Sequence, residues 1–194
     1  MPSKQLPSII LHNDHARFNF PNFSTMETKI KWRWSLLLVL LSGAIMQFQG
    51  RSLKTALNPI GIVDLELADS ISELNALLAI WDKDVVRLNI WIDFLFIVAY
   101  TFFFIQSIRL ILAKHRFNWL QQLGKKLIVL AYLAAILDVV ENILMITSIM
   151  GHYSAGSVLA TASIATLKFS IIAIILIYLI GSLFLTLKSK QSPS

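Results

Sequence analysis

Four apolar stretches set the terms for this chain, because each approaches or exceeds the roughly 20 residues that an α-helix needs to cross about 30 Å of hydrocarbon. They run about Trp34 to Gln49, Leu88 to Ile108, Leu127 to Met150 and Ser157 to Leu187. The first is short. Lys29, Lys31 and Arg33, with Trp32 and Trp34, supply cations and an aromatic anchor at its start. Composition agrees with a bilayer setting: 56% of the 194 residues are hydrophobic and 14% charged, against about 45 to 50% and 25% in soluble domains. The expected fold is all-α, a polytopic antiparallel bundle of four transmembrane helices. Residues 29–190 form that single domain, and 1–28, without a sustained period, form a flexible cytoplasmic tail. Because 33 residues precede the first run, it reads as an uncleaved signal anchor rather than a leader.

The net charge of +6 is informative by position. The segment before the first span is basic. The second connection holds Arg109, Lys114, Arg116, Lys125 and Lys126 with no acid, whereas the first connection has more acids than bases and Gly151 to Gly156 carries no Lys or Arg. Basic and non-basic sides alternate, which places both termini in the cytoplasm and the protein in an inner membrane. The second connection, with Phe117 and Trp119, reads as an interfacial segment against anionic lipid, and nucleic acid is not an expected partner.

The connection 50–87 is too long for a bare loop. Asn58-Pro59 and Gly61 mark a turn, and Val63, Leu65 and Leu67 alternate with Asp64 and Glu66 as in a short extended segment. Ser70-Ile-Ser-Glu73 has the spacing of a capping box, and Ile71, Leu74, Leu78 and Trp81 share one helical face. A short outer amphipathic helix is therefore expected over 71–81, lying on the bilayer surface or capping the bundle. A lid over an outward-opening site is the alternative reading.

The chemistry rests on ionisable residues inside the spans, where a charge costs on the order of 2.5 to 3.5 kcal/mol and faces the bundle interior. Asp93 lies on the second span, Asp138 and Glu141 on the third and Lys168 on the fourth. Asp138, Glu141 and Asn142 are at i, i+3 and i+4, on a face continued by Ala135, Ala134 and Ala131. Ser157, Thr161 and Ala165 make a small-residue ladder leading to Lys168, while Asn89, Asp93 and Tyr100 share a face. Counted from the outer helix ends, Glu141, Lys168, Asp138 and Tyr100 are ten to thirteen residues deep, roughly 15 to 20 Å at 1.5 Å per residue. Asp93 forms an upper step at about 9 Å. Lys168 is expected as counter-ion to Asp138 or Glu141, the other carboxyl bearing a proton, with Asn142 and Tyr100 as orienting donors.

No metal set or cofactor is expected. His12, His15, His115 and His152 are scattered, no HExxH or phosphate-binding glycine loop occurs, and there is no cysteine. Three functions fit the residues: binding or transport of a small polar ligand, lipid or proton at the cluster; a structural or accessory subunit whose charges pair helices, with a membrane-protein partner or a second copy; and, last, an enzyme acting on lipid or quinone.

Gly61-Ile-Val-Asp-Leu-Glu-Leu-Ala68, Asp93-Phe-Leu-Phe-Ile-Val-Ala-Tyr100 and Leu137-Asp-Val-Val-Glu-Asn142, in this order and spacing, resemble a group of uncharacterised bacterial four-helix integral membrane proteins. The likeness spans about residues 55–150. It implies a bacterial source and the same four-helix plan, and adds Glu66 to the candidate residues without implying a mechanism.

Overall fold

The computed structural model describes residues 23–113 and 118–190, with side chains described for 26–113 and 118–185. Six α-helices make up the described chain: α1 (Phe23–Gln49), α2 (Ile62–Leu67), α3 (Ile71–Ile80), α4 (Lys83–Leu112), α5 (Asn118–Ile149) and α6 (Ala155–Lys190), with a 3-10 turn at Gly50–Leu53 after α1. The described residues contain no strand. Four of the helices, α1, α4, α5 and α6, are long and apolar enough to cross a membrane. The proposed tail is helical over 23–28, and the rest of it lies outside the described residues, as do Lys114 to Phe117 of the basic connection.

The α5 sequence explains how three helices close on one seam. Leu120, Gly124, Leu127, Ala131, Ala134, Asp138, Glu141, Met145 and Ser148 are all buried and follow one another at alternating steps of four and three, the period that keeps one stripe facing its neighbours along a long helix. Its small members let α4 and α6 approach closely. On α6 the facing stripe is Val158, Thr161, Ala165, Lys168, Ile171, Ile175, Tyr178 and Ser182.

The α5–α6 reversal is specified locally. Gly151 takes a positive φ of 85°, and His152 N donates to Thr147 O while Gly151 N donates to Ser148 O, the two bonds of a Schellman ending. Ser154 and Ser157 then cap α6 reciprocally, each hydroxyl accepting from the other's amide.

Helix α1 packs along α4 and has no comparable packing with α6. Two polar clamps fix it. Asn89 Nδ2 donates to Met46 O at 3.0 Å and to Gln49 Oε1 at 2.7 Å, while Gln49 Nε2 donates to Val85 O at 2.9 Å; near the other end Trp32 Nε1 donates to Ser107 Oγ at 2.9 Å. Asn89→Leu is expected to loosen the first clamp at a cost of about 1 to 3 kcal/mol, because Gln49 and the Met46 carbonyl lose their donor. Faster amide exchange over residues 44–53, with α5 unchanged, would register it; equal exchange would contradict it.

Two expectations for the connection are corrected. Val63 to Leu67 is helical, not extended. An isolated strand here would have no edge to pair with, whereas a helix satisfies its own backbone groups in apolar surroundings. Its buried residues, Leu65 and Glu66, are adjacent rather than alternate. In α3 the buried residues are Leu74 and Leu77, followed by Trp81, while Ile71 is 38% exposed; the face is turned from the expected one because α3 must pack on Leu65, Met145 and Val158 together. Ser70 accepts from Glu73 N, but Glu73 returns to Asp69 N rather than to the cap amide.

Candidate functional site

Lys168 stands midway along the buried stripe of α6, and its ammonium group is 3% exposed with its residue. An ammonium has three N–H donors, and each meets a different carboxylate: Asp138 Oδ1 at 2.9 Å, Glu141 Oε1 at 3.0 Å and Glu66 Oε2 at 3.2 Å. The Nζ also lies 4.6 Å from the centre of the Phe169 ring, within cation–π range. Sequence spacing gave Lys168 one partner from α5. The structure gives it both α5 carboxylates, because Asp138 and Glu141 are adjacent on the heptad stripe and both face the same point of α6.

The third partner arrives from outside the long helices. Gly61, at φ 72°, opens α2, a conformation that favours glycine, and one and a half turns later Glu66 reaches Lys168. Burial holds the Glu66 carboxyl above the usual carboxylate range; Lys168 opposes the effect and Asp138 adds to it.

Two further carboxylate contacts complete the network. Tyr100 donates its hydroxyl to Asp138 Oδ2 at 2.9 Å. Asn142 Nδ2 donates to Asp93 Oδ2 at 2.7 Å, so Asn142 orients Asp93 rather than the α5 carboxyls. Asn142 shares the turn of α5 with Glu141, so its bond ties Asp93 to the cluster instead of leaving it as a separate upper step. The network holds four carboxyls against one ammonium. If all ionised, it would carry three uncompensated negative charges in a setting where each is costly.

The cluster is not sealed by packing. A cavity of about 320 Å³ lies between α1 and α6, with Glu66, Asp93, Tyr100, Asp138 and Lys168 on its wall. Val39 and Met46 of α1, Phe96 and Phe103 of α4, and Phe169 and Ile172 of α6 supply apolar and aromatic surface. Ile62 and Val63 of α2 close one end, whereas no residue of α3 lines the cavity; α3 is therefore not its cover. The sequence reading missed this aromatic wall. Its signal was present in the three phenylalanines after Tyr100, but a phenylalanine-rich helix reads first as lipid-facing surface.

Among the described residues no group of three or more His, Cys, Asp or Glu is arranged to hold a metal ion. Lys168 occupies the point on which the carboxylates converge.

A pH dependence follows from Glu66. A carboxyl held above its ordinary value near 4.5 binds its proton more tightly in the folded state, so its contribution is complete below that value and is lost as pH rises through the folded one. Glu66→Gln is expected to flatten the fall in unfolding midpoint between pH 5 and 8 seen for the parent in maltoside micelles. A parent midpoint that rises over this interval, or an unchanged slope in the variant, would contradict it.

Comparison with protein-family models, with curated proteins and with solved structures gives no match to this chain.

Proposed function

We propose that this chain is a multi-pass protein of a bacterial inner membrane, with both termini in the cytoplasm, that binds or transports a small polar ligand, lipid headgroup or proton at the Glu66–Asp93–Asp138–Glu141–Lys168 cluster. The alternation of basic and non-basic connections supports the orientation. The observation that carries the function is that an over-acidic buried network borders a cavity of about 320 Å³ instead of being packed over. Helix pairing alone calls for no cavity and for no more carboxyls than the ammonium balances.

Native mass spectrometry of the protein extracted in its own lipids tests this. The expected result is a stoichiometric co-purifying species that is lost in Glu141→Gln while circular dichroism and the unfolding midpoint show a folded variant. Retention of the same species in Glu141→Gln would contradict it.

An accessory-subunit reading is favoured by one observation: all three donors of Lys168 are met within the chain. Under that reading, the combined variant Lys168→Met, Glu66→Gln, Asp138→Asn, Glu141→Gln keeps the cell's phenotype and any partner complex. Under the binding reading it folds and is inactive.

A further inference from the structure

We infer that the cavity between α1 and α6 takes an organic cation with apolar substituents, a quaternary or protonated amine, its charge set against Asp93 and Glu66 and its body against the aromatic wall. The inference rests on the binding reading above and names its ligand class.

Charge selects the sign. Asp93 is partly buried and lines the cavity, its Oδ2 taken by Asn142. Glu66 and Asp138 also border the cavity. Among the described residues the only cation on that wall is Lys168, whose three donors are already committed to carboxylates. An anion would therefore find no free donor on Lys168 and up to four carboxyls nearby, whereas a cation meets a surplus of acceptors. Lys54, after the 3-10 turn, is directed to Gln47 Oε1 at 2.7 Å and does not reverse this balance.

The walls select the body. Phe96, Tyr100, Phe103 and Phe169 border the same space, and ring faces attract a weakly hydrated organic cation, as the Phe169 ring already does the Lys168 ammonium. A strongly hydrated metal ion would forfeit its water without gaining an oxygen cage. The volume of about 320 Å³ lies at the small end of the roughly 300 to 1,000 Å³ found for ligand pockets. Helices α1 and α6 flank the space without packing on one another along their length, so the way in is from the side.

Binding and protonation are coupled. The titratable groups facing the cavity or its cluster are Glu66 from α2, Asp93 and Tyr100 from α4, Asp138 and Glu141 from α5 and Lys168 from α6, with Val39, Met46 and Gln47 from α1 adding none. Entry of one monovalent cation with release of one carboxyl proton leaves the net charge of the network unchanged. The expected stoichiometry is one proton out for each cation in.

The test uses the full chain in maltoside micelles and benzyltrimethylammonium as probe, with titration calorimetry in two buffers of different ionisation enthalpy. Saturable binding with about one proton released is expected, and neopentylbenzene, the neutral isostere, and benzenesulfonate should fail to bind. Asp93→Asn is expected to weaken binding about tenfold or more by removing one charge partner. Phe169→Leu, which leaves every carboxyl in place, should weaken it by a smaller factor and serves as the second variant if Asp93→Asn does not fold. Displacement of the probe by phosphatidylcholine but not phosphatidylglycerol would identify the cation as a lipid headgroup; absence of displacement would identify it as a free amine, and both retain the inference. No binding, equal binding of the neutral isostere, or binding untouched by both variants overturns it. A neutral or anionic species co-purifying with the native protein and lost in Glu141→Gln would overturn the cation while leaving the binding reading intact.

Discussion

Lys168→Met is expected to lose a large share of the protein's stability at neutral pH. Methionine is close in length but removes the charge and its three N–H donors, leaving Glu66, Asp138 and Glu141 facing one another in a site at most 7% exposed. Removing one partner of a buried ion pair costs about 3 to 5 kcal/mol, set against a total stability of about 5 to 15 kcal/mol. The direction of the pH effect follows from what is left: Glu66, which burial holds above the usual carboxylate range, takes up a proton on acidification and relieves part of the charge that the ammonium had balanced, so the deficit of the variant relative to the parent should shrink from pH 8 to pH 5. Unfolding midpoints in micelles at the two pH values measure it. An equal midpoint for parent and variant at pH 8, or a deficit that grows on acidification, would show that the ammonium does not hold these groups together.

Gly124→Leu should be nearly as damaging for a purely steric reason. A Cβ at Gly124 would lie 2.6 Å from Tyr178 Oη, 2.8 Å from Leu112 Cδ2 and 3.3 Å from Ile108 Cγ2, so this position is where α4, α5 and α6 come together. Tyr178 would have to move and give up its bond to Leu120 O. Overpacking costs about 1 to 3 kcal/mol and occasionally more; the upper end is expected here, because the leucine on α5 is directed into α4 and α6 at once. Gly181→Leu is the control, since a Cβ added there would meet no atom outside its own stretch of helix within 4 Å and leucine is the better helix former. Loss of the monomer peak in Gly124→Leu but not in Gly181→Leu is the expected outcome. Equal tolerance of both would mean the helices are not in contact there.

The long helices were legible because burial and length act over many turns. The run of small and polar residues from Ala131 to Asn142 on α5 can only be an interior face, and Lys168 at the foot of a small-residue ladder can only face it. The short elements were not. Over six residues a period of two and a helical turn are hard to distinguish, and Val63 to Leu67 follows the helix because that backbone must satisfy its own polar groups. Glu66 was placed by resemblance alone, since nothing in its flanking leucines signals a lysine about a hundred residues away. The Asn142–Asp93 bond was missed for a related reason: spacing shows which residues share a helix face, not which neighbouring helix that face meets. The aromatic cavity depends on α1 docking beside α4 and apart from α6, a choice made by Asn89 and Gln49 rather than by the apolar pattern.

The most direct test of the site exploits a chain without cysteine. Single cysteines at Met46 and Ile172, on opposite walls of the cavity, can be labelled in membrane vesicles with the trimethylammonium and the sulfonate forms of a methanethiosulfonate reagent. A cysteine at Ile177, an exposed residue further along α6, gives the lipid-facing reference. Both cavity cysteines are expected to react with the cationic reagent well above the reference and faster than with the anionic one, and Asp93→Asn is expected to remove the preference. Cavity cysteines as inert as the reference would contradict it, because the cluster would then be closed within the bundle and its charges would serve the helices alone.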